Sequence, residues 1–417
     1  MKVFKFGGAS IKDPQAIRNV LHVLKTVGFN NSLIIASAMG KTTNALEDVV
    51  NAYFKKPEEL KNALQIVSDY HLEILNELFE NKSHLVFDKV RVLFVEMEFF
   101  LSTNKSPNYN FVYDQIVSYG EIISTTILSY FFNDQSIENI WIDARNLIKT
   151  DTTYRDGLVD WKATEQNITN QLQGKKLYVT QGFIGSDPNH FSVTLGREGS
   201  DYSAAIFAYC LNAESVTIWK DVPGVLNADP RYFEDTVLLN QISYHEAIEL
   251  AFYGASVIHP KTLQPLQRKE IPLFVKSFVN PTLPGTSVSK GADLEPHTAC
   301  FIVKKNQLLI SIASKDFSFI MEHQVSDIFK LFADQHIKVN VIQNAAISFT
   351  VCVEDKFGNF EHILEDLDNN FKITYNENVS LYTIRHFTPE AAEKVIANKA
   401  VLLQQINRET MQIVIKE

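Results

Sequence analysis

Cysteine is scarce in this chain: Cys210, Cys300 and Cys352 are the only three in 417 residues, and they lie far apart. Such spacing excludes a disulfide framework and a Cys-based metal site, and it suits a reducing compartment. Long apolar runs are missing too; none approaches the roughly 20 residues needed to span a bilayer. The opening MKVFKFGGAS lacks the apolar stretch of a secretory signal and goes straight into a strand-like pattern, so a cytoplasmic protein is expected. Positive charge is in deficit, with 39 Lys and Arg against 49 Asp and Glu and a net charge of −10. That balance disfavours a nucleic-acid binder and still permits a small anionic ligand held by a few local cations. No low-complexity segment appears. What remains is ordinary for a globular chain of two or three domains: 45% hydrophobic and 21% charged residues.

Strand-like and helix-like patterns alternate over the first two thirds. Val3–Phe6, Ser32–Ser37, Ile140–Asp143, Lys176–Thr180, Ser192–Leu195, Ser215–Trp219 and Pro272–Ser277 read as strands. Asp13-Pro14 opens a helix, with proline at its first position. Ser243 to Glu246 forms a capping box, and His259-Pro260 starts another helix. Pro57 to Phe132 is mainly helical, with a break near Asn104–Asn108. This alternation implies an α/β sheet covered on both faces. NPTLPGTSVSKG, around Asn280–Gly291, reads as a linker. Beyond it, Gln307 to Tyr375 gives the order βαββαβ, a ferredoxin-like unit. Val379 to Ile415 looks like a shortened second copy, in which three elements follow the first strand.

Four turns follow strands where open α/β sheets bind ligands. Lys5-Phe-Gly-Gly-Ala-Ser10 offers a cation and paired glycine amides. Ser37-Ala-Met-Gly-Lys-Thr-Thr-Asn44 imitates a P-loop, but Ile35 stands where that motif needs glycine. Thr194–Ala204, TLGREGSDYSA, carries Gly196 and Gly199 for close backbone approach, Arg197 as an anion-binding fork, and Ser200 or Asp201 as a helix cap. Trp219 to Arg231, WKDVPGVLNADPR, combines a Pro-Gly turn with aspartates and an arginine, suited to a nucleotide.

KFGGAS, SAMGKTTN, Gly120-Glu121, TQGFIGSD, TLGREGSDYSA, WKDVPGVLNADPR and YGASVIHPKT resemble, in order and spacing, the motifs of the aspartokinases within the amino-acid kinase superfamily. The likeness covers about 280 residues, and the tail resembles the paired ACT domains of that family. It implies a three-layer αβα kinase sandwich at 1–285, a linker at 286–299, an ACT-like domain at 300–378 and a second, shortened one at 379–417. It implies transfer of the γ-phosphoryl of MgATP to the side-chain carboxylate of L-aspartate, an early step towards lysine, threonine and methionine. It also implies lysine or threonine as effector and a homodimer or larger assembly through the ACT-like domains. Met321–Gln324 and Val339–Asn344 fall near the family's effector site, although Glu322 occupies a segment where glycine is common.

Roles carry over motif by motif. Lys5 and Asp201 are the expected catalytic pair, with Asp201 orienting Lys5. Thr43, Glu121, Arg197 and Ser200 are expected around aspartate, Glu121 receiving its ammonium and Arg197 a carboxylate. Gly7, Gly8, Ser10, Lys220, Asp221, Leu226, Arg231, Ser256 and Lys261 join Lys5 around ATP. No metal site made by side chains alone is expected. Four positions depart from the family pattern: Ala9 and Lys220 for threonine, Glu198 for glycine, and Ser256 for an ATP-phosphate lysine that Lys220 or Lys261 would replace. Two alternatives compete with the aspartokinase reading. One is a superfamily member acting on glutamate, N-acetylglutamate, carbamate or UMP. The other is an amino-acid-sensing protein with a degenerate kinase site.

Overall fold

The computed structural model describes residues 1–255 and 257–416. The chain divides into two compact units. The first holds Met1–Val225, Leu238–Ile248 and Val257–Pro296; the second holds Leu226–Val237, Glu249–Ser256 and His297–Glu417.

The first unit is an eight-stranded sheet with helices on both faces. Its strands are β1 (Lys2–Phe6), β2 (Ser32–Ala36), β3 (Ile140–Ile142), β4 (Leu177–Gln181), β7 (Ser215–Lys220), β8 (Gln241–Ser243), β9 (Leu273–Ser277) and β10 (Thr286–Ser289), with a separate hairpin of β5 (Ile184–Ser186) and β6 (Ser192–Thr194). The order is β3-β4-β2-β1-β7-β9-β10-β8. Strands β3 to β9 in that order run parallel, and β10 opposes β9. Thr286–Ser289, assigned to a linker on composition, is therefore a strand of this sheet; Thr286 and Val288 are buried in it.

The period-2 geometry of a strand decides which side chains meet which helices. Phe4, Phe6, Ile34, Ala36, Leu177 and Val179 share one face and pack on a core with α1 (Pro14–Val27), α2 (Thr42–Lys55), α3 (Leu60–Leu78), α4 (Leu85–Thr103) and the 26-residue α5 (Tyr109–Asp134). After the short α6 (Ala144–Leu147) come α7 (Trp161–Gln171), α8 (Gly199–Leu211), α9 (Tyr244–Tyr253) and α10 (Pro260–Arg268). Helix α8 lies against β1, β2 and β7, with α7 and α10 packed on it. Lys5 alternates with Phe4 and Phe6, so it points to the α8 side. The expected starts hold. Asp13 caps α1, its carboxylate accepting from Ala16 N–H at 2.7 Å, and His259 Nδ1 caps α10 by accepting from Lys261 N–H.

The second unit is built on a six-stranded antiparallel sheet. Its elements are β11 (Cys300–Ser314), α11 (Glu322–Asp334), β12 (Lys338–Asn344), β13 (Ser348–Glu354), α12 (Phe360–Asn370), β14 (Phe371–Arg385), α13 (Pro389–Ile396), β15 (Ala400–Ile406) and β16 (Thr410–Lys416). The order is β12-β13-β11-β14-β16-β15. Two ferredoxin-like halves share it. The far part of β11, Leu309–Ser314, pairs with Phe371–Asn376; the near part, Cys300–Lys304, pairs with Leu381–Arg385. The shortened second copy thus receives an extra strand from the segment that precedes the first copy. Each half has its own core, Ile310, Phe332 and Phe349 in one, Ile384, Val395 and Ile413 in the other.

Candidate active site

At the carboxyl ends of β1 and β7, Lys5 and Lys220 reach towards the first turn of α8. Lys5 Nζ lies 2.5 Å from Asp201 Oδ1 and Lys220 Nζ 3.6 Å from Oδ2. Lys220 also donates to the Val257 carbonyl at 2.5 Å. Burial raises the Asp201 carboxyl, but the two ammoniums outweigh it and hold the group below the usual carboxylate range. Two cations around one anion leave a net positive charge in a largely desolvated place, where it acts strongly.

Helix α8 begins at Gly199, two residues earlier than a Ser200 cap would place it. Neither Ser200 nor Asp201 caps it. The N-cap position belongs to Glu198, which makes no side-chain cap hydrogen bond. Asp201 is diverted to the lysines instead. Glu198 sits at φ 54°, ψ 28°, the left-handed region, where glycine is at ease and a side chain is strained. Gly196 has φ 79°, and a Cβ on Gly199 would come within 2.6 Å of the Phe183 ring, so both glycines are required by the turn.

A cavity of about 520 Å³ opens beside this turn, lined by Lys5, Thr43, Glu121, Arg197, Glu198, Ser200, Asp201 and Lys220 among the residues expected or singled out. Glu121 is only 2% exposed. One of its oxygens accepts from Ala38 N–H; the other, Oε2, has no hydrogen-bond partner among the described residues. Burial pushes its carboxyl up to about 8, with the Ala38 amide and Lys5 pulling weakly the other way. An unpartnered carboxylate in such a place is costly and calls for a donor from outside the protein. The Oε2 of Glu198 is likewise buried and without a hydrogen-bond partner among the described residues.

The rest of the expected nucleotide set is more scattered. Gly7 adjoins Lys5, and a Cβ on it would lie 3.5 Å from Nζ, whereas Gly8 is packed against the Ala38 and Gly40 carbonyls. Ser10 is buried, and Asp221 is exposed. Lys261 is ion-paired with Asp156 and does not line the cavity. Leu226 and Arg231 belong to the second unit, where Arg231 forks onto Asp229 at 2.5 Å. Ser256 lies outside the described residues.

Several cavity residues escaped sequence reasoning: Ser37, Tyr113, Arg155, Phe183 and Thr194. Arg155 has φ 72° and stacks its guanidinium 4.0 Å from the Tyr113 ring centre while pairing with Glu47 at 3.2 Å. It is held by Asp114, a buried carboxylate that accepts from Arg155 N–H, Thr194 N–H and Thr194 Oγ1 at 2.9, 2.9 and 2.8 Å. Burial raises Asp114 to about 6 despite those donors. A signal was available: Asp114 and Glu121, seven residues apart, are two buried acids on one face of α5.

The sequence pattern of the amino acid kinase family matches residues 1–277. The chain belongs to the amino acid kinase family. It is 30% identical over 358 residues to the lysine-sensitive aspartokinase 3 of Escherichia coli, covering 84% of this chain and 78% of that protein. It is also 30% identical over 365 residues to the chloroplastic bifunctional aspartokinase/homoserine dehydrogenase 2 of Arabidopsis thaliana, spanning 39% of that longer protein. Among solved structures, E. coli aspartokinase III in complex with lysine and aspartate superimposes with a TM-score of 0.84 at 25% identity, covering 99% of this chain and 95% of that one. The same enzyme in complex with aspartate and ADP gives 0.82. These relatives confirm the αβα kinase sandwich followed by an antiparallel regulatory-type region. No helix among the described residues is long and apolar enough to cross a membrane.

Proposed function

We propose that this chain is an aspartokinase, moving the γ-phosphoryl of ATP onto the side-chain carboxylate of L-aspartate to give 4-phospho-L-aspartate and ADP. The observation that carries the reading is one cavity that holds a lysine pair on Asp201 and, separately, the unpartnered buried carboxylate of Glu121. The first feature suits anions, the second an ammonium; L-aspartate with a nucleotide phosphate brings both.

The nucleophile needs no base, because a side-chain carboxylate with a pKa of about 3.9 is ionised at neutral pH. One oxygen of it forms a bond to the γ-phosphorus, and the bond from that phosphorus to the β,γ-bridging oxygen breaks, with the electron pair leaving on ADP. The barrier is repulsion between anions, and phosphoryl transfer is governed by positioning and charge neutralisation. Lys5 meets the transferring group, Asp201 fixes Lys5 and Lys220, Glu121 takes the α-ammonium, and Arg197, Thr43 and Ser200 orient the rest of aspartate. The described residues hold no group of three or more His, Cys, Asp or Glu side chains able to seat a metal alone. Mg²⁺ would arrive on the phosphates of ATP, which is how this ion commonly binds in kinases. The second unit is proposed to sense an amino acid. Lysine is the first effector to test, because the E. coli relative is named lysine-sensitive and its structure contains lysine.

The test is ADP release with L-aspartate, L-glutamate or no acceptor, alongside trapping of the acyl phosphate by hydroxylamine. Aspartate-dependent ADP and hydroxamate in equal amounts are expected. ADP release that ignores aspartate, or none at all, overturns the reading.

A further inference from the structure

Helix α4 is apolar on two sides. Its inner face carries Val86, Val90, Met97 and Leu101, all buried. A surface helix normally turns charged and polar residues outward, opposite its buried stripe. Yet here Leu85, Val92, Val95 and Phe99 stand 65, 50, 58 and 67% exposed. With Asp88 and Ser102 they occupy positions 85, 88, 92, 95, 99 and 102, alternating steps of three and four. That is the a and d spacing of a coiled-coil seam.

The residues flanking the seam are segregated by charge. The e and g positions beside Val92 on its N-terminal side are Lys89 and Arg91; those beyond Val95 are Glu96 and Glu98, and all four are exposed, Arg91 being ion-paired at the surface with Asp88 of its own helix. In an antiparallel pair of helices, e faces e and g faces g. Centring the pair so that Val92 meets Val95 of a second copy sets Lys89 against Glu96 and Arg91 against Glu98, and the two-fold axis repeats both contacts. A parallel pair in register would bring only Arg91 near Glu96 and would leave Lys89 facing His84. The flanking charges are self-complementary in one arrangement, which is the requirement of an isologous contact, and the same register places the Val92–Val95 pairs at its centre with Asp88 opposite Phe99 and Leu85 opposite Ser102 further out.

We propose that the outer face of α4 is an interaction surface for a second copy of this chain, joined antiparallel about Val92 and Val95. The seam is only a few turns long, with Asp88 and Ser102 diluting its ends, so it belongs among small, concentration-dependent interfaces. The flanking charges set register and partner more than strength.

Sedimentation velocity on the full chain over rising concentration is the test. Beyond any assembly through the second unit, which α4 substitutions leave in place, the wild type is expected to show a further step that doubles its mass. K89E/R91E makes the flank wholly acidic, and E96K/E98K makes it wholly basic. Each variant alone is expected to lose the step, and an equimolar mixture of the two to regain it. Under mild oxidation by copper phenanthroline, V92C/V95C is expected to cross-link into dimers, while V92C alone stays monomeric on a denaturing gel. Circular dichroism and ADP release check that each variant is folded, since none of these residues lines the active-site cavity. A wild type without the step overturns the proposal, as do charge variants that associate like wild type. A folded mixture that fails to recover the step overturns it too. Efficient cross-linking of V92C alone overturns the antiparallel register. Wild-type binding to lipid vesicles without self-association assigns the face to a membrane instead.

Discussion

Glu121 is where stability and the proposed function oppose each other most plainly. Its carboxyl is pushed up to about 8 in the ligand-free protein, above the value of an unfolded glutamate. The sign follows from linkage: the unfolded chain loses this proton first as pH rises. Stability is therefore eroded progressively between about pH 4.5 and 8, and the full loss persists above that. Glu121→Gln is expected to raise the melting temperature, by an amount that grows from pH 5 to pH 8 in parallel thermal melts. The same change is expected to raise the KM for aspartate at least tenfold and to flatten its pH dependence, because only the ionised carboxylate accepts the substrate ammonium. Lys5 works in the opposite sense. Lys5→Met keeps the stem and removes the charge, and kcat should fall by roughly 10²–10³-fold, the scale seen when one charge-stabilising donor is lost. Asp201 retains Lys220 in that variant, so circular dichroism should be unchanged. Glu198 is a cheaper residue to replace. Its left-handed backbone costs about 1 kcal/mol relative to glycine. Glu198→Gly should therefore raise the urea midpoint by a corresponding amount, and a simultaneous drop in aspartate affinity would mark its buried, unpartnered oxygen as a substrate contact.

Elements, more than single side chains, show why part of the site was hidden. Strands β1, β2 and β7 and the glycine-bearing turns after them were legible because buried strands and glycines leave strong local signals. Lys5 follows from the turn after β1, and Arg197 and Asp201 from the glycine turn before α8; Glu121, inside α5, came only from the resemblance to the aspartokinases. Arg155 left no such signal. It reaches the cavity because Asp114 on α5 grips the loop at Arg155 and the hairpin strand β6 at Thr194, residues 41 and 80 positions away in sequence. Only the fold brings these together. The helix cap was misassigned for a related reason. Ser200 and Asp201 satisfy the local rule, but the lysines supply Asp201 with a stronger partner. Replacing Asp114 with alanine strands the Arg155 and Thr194 amides, and each buried amide without a partner costs about 1–3 kcal/mol. The variant should lose several kcal/mol in chemical denaturation. Asp114→Asn, which keeps an acceptor, should recover part of that loss and most of the aspartate KM.

For the molecule as a whole, alternation of strands and helices gave the fold class, and the βαββαβ order gave the ferredoxin-like tail. The division of the tail was not legible. Its second half borrows Cys300–Lys304, and its core takes in Phe233, whose ring lies 5.1 Å from that of Phe301. Phe301 N–H also donates to the Asn227 carbonyl at 2.7 Å. Residues 226–237 are thus part of the second unit though they precede it in sequence. A fragment starting at His297 lacks them, and it should melt lower and aggregate more readily than one to which Leu226–Val237 is tethered by a flexible linker. Light scattering during a thermal ramp compares the two.

Strand β14 runs unbroken for 15 residues, serving the first half up to Asn376 and the second from Val379. A beam common to two rooms cannot tilt in one without tilting in the other. An amino acid lodged in either half would therefore be felt in both, and severing the chain at residue 378 would silence the pair together.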